Sequence, residues 1–265
     1  MVKKTSKPKK STEAESDLGK RVLQIAGWLL WIAAAYFLAS FIMAVLIIIF
    51  RHYGLIDIEN PGTVVNFLIN ASMYVLMFVI AMWLPIRRWK ESRKEKIDKV
   101  TLKNFVFDQV GLSRRLKWVD LRYFIADLPM FYFVNIFISM LAAYWLGSEI
   151  MGQEQSLGFE ATSNAWWQLV IIFLALVVIA PLFEEMLMRG FLFKKIRKSA
   201  PFWVTAILIS LLFAVAHGQV NVGIMTFIMS MFCCWIREKT GTIWGAIFLH
   251  ATSNFVAFAL LFLFN

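Results

Sequence analysis

Cysteine, histidine and charge are all scarce in this sequence, and each scarcity excludes something. The two cysteines, Cys233 and Cys234, are adjacent and lie within an apolar run. With no second site to join, they rule out an intramolecular disulfide framework, and as thiol nucleophiles they are poorly placed. They read as small packing residues. The three histidines are His52, His217 and His250, and no HExxH pair occurs, so the helix-borne zinc site built by that motif is absent. Charged residues are 17% of the chain against 60% hydrophobic, whereas a soluble domain is about a quarter charged. Residues 22–50, 63–86, 199–236 and 240–265 carry no formal charge at all. Uncharged apolar runs beyond about 18 residues are membrane spans, because an aqueous core does not need helices apolar on every face over such lengths.

The charge that is present is basic, +10 overall, and its distribution argues for topology rather than nucleic-acid binding. Of 27 Lys and Arg, seven lie in residues 1–21, twelve in 87–122, four in 194–198 and two in 237–239, leaving Arg51 and Arg189. The candidate outer loops 51–62 and 148–164 hold Arg51 alone against Asp57, Glu59, Glu149, Glu154 and Glu160. That is the positive-inside asymmetry of a multi-pass membrane protein. The basic segments would also meet anionic lipid headgroups.

Cutting the apolar runs at charges, Pro and Gly predicts about seven spans, near 22–50, 64–86, 123–147, 165–193, 201–217, 220–236 and 243–264. The fold class expected is therefore an all-α polytopic helical bundle. Alternation from a cytoplasmic N-terminus puts every basic loop on one side and Asn265 outside. Residues 1–21 read as a disordered basic tail, and 22–147 as an N-terminal transmembrane region containing the basic loop 87–122. The first apolar run is too long for a signal-peptide core and lacks an A-x-A-like end, so it reads as an anchor. Within the basic loop, Phe105, Val106, Phe107, Val110 and Leu112 suggest an interfacial amphipathic helix. No inverted repeat is evident, which weakens a transporter reading.

Ionisable groups inside apolar spans are costly and point to function. Glu184, Glu185 and Arg189 fall in the fourth span. Glu185 and Arg189 are four apart and share a helix face, so they form an ion pair. Glu184 is rotated by about 100° and does not share that partner, which leaves it for proton transfer. His217 closes the fifth span, four residues after Phe213. In the seventh span His250 and Asn254 are also four apart and face one groove. His52, beside Arg51 at a span end, needs no special role. Polar groups on three helices in one half of the chain suggest a single pocket. Counting about 1.5 Å per residue places Glu184 and His250 roughly 15 Å from their basic ends, but His217 nearer 24 Å. Pro181 is expected to kink the fourth span and help bring the three to one depth.

Glu184-Glu185-x-x-x-Arg189, Phe213-x-x-x-His217 and His250-x-x-x-Asn254, with Arg237-Glu238-Lys239-Thr240-Gly241-Thr242-Ile243-Trp244 leading into the last helix, resemble one signature. It is that of the CAAX protease and bacteriocin-processing (CPBP, or Abi) family of intramembrane endopeptidases, over about residues 165–256. The resemblance implies a catalytic core at 165–264 in which Glu184 and His217 activate a water. His250 and Asn254 would stabilise the oxyanion, Glu185 and Arg189 would orient Glu184, and Phe213 would position His217 by packing. No cofactor is required in that scheme. The family has also been classed with metalloproteases, and Glu184, His217 and His250 would be the ligands of a zinc ion. The expected partners are a peptide or membrane-protein substrate and the bilayer, with no nucleic acid, in a bacterial plasma membrane. Two alternatives stand beside the protease. One is a catalytically silent protein of the same fold acting by binding in bacteriocin immunity; the other is a proton-coupled transporter.

Overall fold

The computed structural model describes residues 9–57, 62–93, 98–153 and 165–264, and every regular element among them is helical. The main helices are α1 (Lys9–His52), α2 (Thr63–Glu91), α3 (Lys99–Gln109), α4 (Trp118–Leu146), α5 (Trp166–Ile196), α6 (Phe202–Ala216), α7 (Val220–Thr240) and α8 (Trp244–Phe262). Six of them, all but α3 and α6, are long and apolar enough to cross a membrane. The chain is an all-α, multi-pass membrane protein. The seven apolar runs expected from sequence are all helical, but the run at 201–217 forms a helix of only 15 residues. That is about 22 Å, short of a hydrocarbon core of roughly 30 Å. Pro201 stops it at one end, and at the other the chain turns at Gly218 with φ +71°.

The bundle has an apolar outer surface, as a bilayer requires, and encloses a few charged side chains within a largely apolar core. Leu23, Phe41, Phe133 and Tyr144 are exposed, while Asp120, Glu185 and Arg189 are fully buried. Exposed tryptophans begin α4 and α6 (Trp118, Trp203) at the basic end, and Trp145 and Trp166 lie at the other end, as interfacial aromatics do. Helix α5 is central, touching α1, α2, α3, α6, α7 and α8, while α7 packs along α4, α6 and α8. Helix α1 starts earlier than a disordered tail over residues 1–21 would allow. It begins at Lys9, and the Asp17–Arg21 ion pair of 2.7 Å, one turn apart, supports that end. Residues 1–8 of the expected tail lie outside the described residues, as do 58–61 and 154–164 of the expected outer loops.

The basic segment between α2 and α4 folds back onto the C-terminal half of the chain. Asp98 caps α3 by accepting from the Thr101 amide, a bond that holds its carboxyl below the usual range. Trp89 of α2 stacks on Phe105 of α3 at 4.3 Å, and Val110 is buried. Residues 111–120 then clasp the turn before α8. Arg114 grips both oxygens of Asp120 at 2.7 and 2.9 Å and donates to the Thr240 carbonyl. Thr242 donates to Asp120, Trp244 to the Arg114 carbonyl, and Ile243 N–H to Gly111. Gly190 of α5 lies directly against the Val110 backbone, with no room for a Cβ. Because the obstacle is main chain rather than a flexible side chain, Gly190→Ala is expected to cost about 3 kcal/mol, the upper end for overpacking. A fall in thermal stability checks this; an unchanged midpoint would contradict the close approach.

Candidate active site

Both glutamates lie on α5, whose backbone is not uniform. Leu174–Ile179 and Met186–Leu192 have π-helical turns and bracket the α-helical Ala180–Glu185. Such widened turns recur at functional sites. In this register each N–H reaches the carbonyl five residues back, as Ala180 does with Ala175. Residue 181 would serve the Leu176 carbonyl, but proline has no N–H. Asn254 of α8 supplies the missing donor: its Nδ2 reaches the Leu176 oxygen at 2.8 Å. Pro181 and Asn254 thus act as one device that docks α8 against the break in α5. Asn254→Ala is expected to destabilise the protein by about 1–3 kcal/mol, the cost of an orphaned carbonyl. In a Pro181→Ala background, which restores the N–H, the cost should be smaller; equal losses in the two backgrounds would refute the pairing.

Five residues further along α5, Glu185 and Arg189 form the pair expected from their spacing. Arg189 Nη1 donates to Glu185 Oε1 at 2.9 Å with both side chains fully buried. His250 Nδ1 lies 2.9 Å from the same oxygen. Since a carboxylate only accepts, that nitrogen carries the proton. The Arg189 guanidinium also sits over the Phe213 ring, 4.8 Å from its centroid. Both Glu185 contacts fall on Oε1, while Glu185 Oε2 is buried without a hydrogen-bond partner among the described residues.

Glu184 faces a different space. Its Oε2 is 3.7 Å from His250 Nε2, and its side chain keeps 21% exposure where Glu185 has none. Its other oxygen is not free: the Tyr74 hydroxyl of α2 donates to Oε1 at 2.6 Å. Tyr74 is itself held by stacking on Phe183, which meets Phe78 edge-on, so α2 grips the residue next to Glu184. One oxygen of Glu184 is thus fixed and the other faces the imidazole.

His217 caps α6, and its ring folds back one turn so that Nδ1 lies 2.7 Å from the Phe213 carbonyl. A carbonyl only accepts, so Nδ1 carries the proton and Nε2 is the basic nitrogen of the neutral ring. The Phe213 ring meets His217 at 4.8 Å and His250 at 5.8 Å, both edge-to-face. Glu184, Glu185, Arg189, Phe213 and His250 form a contiguous cluster, and His217 joins it through Phe213. Among the described residues the one side-chain hydrogen bond of His217 goes to the Phe213 carbonyl.

The zinc set expected from sequence does not fit this arrangement. Among the described residues no three His, Cys, Asp or Glu side chains are grouped so as to hold a metal ion.

Tyr74 is the functional candidate that sequence reasoning missed. Its signal is weak but present: Asn66, Asn70 and Tyr74 recur every four residues along one face of an otherwise apolar span.

Residues 166–256 match the family model for type II CAAX prenyl endopeptidase Rce1-like proteins. Over this segment, about a third of its length, the chain is similar to the CPBP family. The CPBP segment runs from the first turn of α5 to just past Asn254, so it carries every catalytic candidate named from sequence, while Tyr74 lies outside it. No match was found among curated proteins or among solved structures. The matched family is one of endopeptidases.

Proposed function

We propose that this protein is an intramembrane endopeptidase that hydrolyses a peptide or membrane-protein substrate with a water activated by Glu184. The observation carrying this reading is the division of labour between neighbouring carboxylates: Glu185 is fully buried and held through Oε1 by both Arg189 and His250, while Glu184 keeps an oxygen toward accessible space. Glu184 Oε2 accepts a proton as the water oxygen attacks the scissile carbonyl, with His217 Nε2 as the second basic atom. The oxyanion is stabilised by His250, protonated on both nitrogens so that Nε2 donates, and by the remaining N–H of Asn254. The proton held by Glu184 then passes to the leaving amine. The protein works in the bacterial plasma membrane with its N-terminus and basic loops cytoplasmic and its C-terminus outside, which requires α6 to complete a crossing. Its substrate is a membrane-associated polypeptide, and no metal takes part.

Purified protein in lipid nanodiscs should cleave peptides from membrane extracts, and cleavage should persist after exhaustive chelation. Loss on chelation, reversed by zinc, would replace the metal-free scheme. Tyr74→Phe removes the fixed hydrogen bond on Glu184 while keeping the ring. It should lower kcat about tenfold, the value of about one charge-assisted bond, with KM little changed. An unaltered kcat would show that the phenol does not orient the base.

A further inference from the structure

At the basic end of the bundle, away from the cluster around Glu184, the last turns of α5 and α7 enclose a hollow of about 270 Å³. Its walls include Lys194, Arg197, Lys198, Arg237 and Glu238, with Phe193 as an apolar surface. Two of the four cations are neutralised within the protein. Lys194 pairs with Asp108 at 2.5 Å, and Arg197 grips Glu238 at 2.8 Å while its Nη1 donates to the Ala200 carbonyl. Lys198 and Arg237 have no acidic partner within ion-pair distance among the described residues. Arg237 is held in place from behind. Its Nε donates to the Arg189 carbonyl at 3.1 Å and its guanidinium lies 6.0 Å from the Phe193 ring centroid, leaving both Nη groups for a ligand. A planar guanidinium with two uncommitted nitrogens beside an ammonium matches the oxygens of a phosphate group.

The geometry points to this hollow as a binding site for the phosphate of an anionic phospholipid headgroup, held between Arg237 and Lys198. The placement favours lipid as the source. The hollow lies at the end marked by the exposed Trp118 and Trp203, the level of headgroups, and a basic pocket between membrane helices is suited to that chemistry. Phe193 offers the glycerol carbons an apolar surface. Because Arg237 also bonds the backbone of Arg189, an occupied site would brace the α5 segment that carries the buried ion pair.

The test uses delipidated full-length protein in neutral detergent, titrated with short-chain phosphatidylglycerol, phosphatidylcholine or inorganic phosphate. Bound lipid is read by native mass spectrometry and the unfolding midpoint by thermal scan. Phosphatidylglycerol should bind and raise the midpoint, and phosphatidylcholine should do so weakly. Lys198→Glu, at an exposed position that leaves folding intact, and Arg237→Gln should each weaken phosphatidylglycerol binding about tenfold or more, whereas Arg51→Glu, at the opposite end of α1, should not. Binding by Lys198→Glu and Arg237→Gln equal to wild type would overturn the site. Stabilisation by inorganic phosphate alone, without retention of phosphatidylglycerol, would overturn the lipid assignment in favour of free phosphate.

Discussion

Replacing Glu184 by Gln is expected to abolish peptide cleavage, lowering kcat by on the order of 10²–10⁴ or more while the protein stays folded. Glutamine keeps the shape of the side chain and can still accept the Tyr74 hydrogen bond at its carbonyl oxygen. What it cannot do is take a proton from water. Because Glu184 lies outside the buried Glu185–Arg189 pair, the substitution leaves that pair intact. The corresponding change at its neighbour has a different signature. Glu185→Gln strips the buried charge from Arg189 and loosens the anchor of His250, so stability and activity should fall together. Activity lost at Glu184 with stability kept, and both lost at Glu185, is the pattern that separates a general base from its support.

The largest effect on stability is expected at Arg189. Arg189→Ala leaves a fully buried carboxylate at Glu185 without its cation and should cost about 3–5 kcal/mol. Thermal or denaturant unfolding in detergent should show this as a large drop in midpoint and in the yield of folded protein. Arg189→Lys should restore only part of it. An ammonium keeps the charge but lacks the flat face that the guanidinium presents to the Phe213 ring. Removing both partners, as in a Glu185→Gln, Arg189→Met double variant, should be less harmful than Arg189→Ala alone, because no unpaired charge is then left in the interior. A double variant no better than the single one would mean that shape, rather than charge, sets the cost.

The sequence was most informative where a rule is local. Glu185 and Arg189 meet because four residues make one helical turn, and the same spacing places His250 and Asn254 toward α5 together. Span positions followed from charge-free runs because the bilayer penalises charge over a whole helix length. The basic loops cluster on one side for the same reason. The contacts that complete the site are of another kind. Tyr74 reaches Glu184 across 110 residues of chain, and a tyrosine in an apolar span costs too little to announce itself. The partnership of Pro181 and Asn254 depends on a π-helical register in α5 that composition does not encode. Asp120 reads as one acid in a basic loop, yet it is fully buried as the centre of the clasp on the turn before α8. Counting along α6 likewise does not foresee that the His217 ring turns back onto the Phe213 carbonyl.

Mass spectrometry of labelled polypeptide termini, comparing membranes from cells making the wild-type protein with membranes containing equal folded amounts of the Glu184→Gln form, bears most directly on the proposed chemistry. New N-termini should appear with the wild type, persist when chelator is added to isolated membranes, and vanish with Glu184→Gln. The same termini appearing with Glu184→Gln would contradict hydrolysis by a Glu184-activated water.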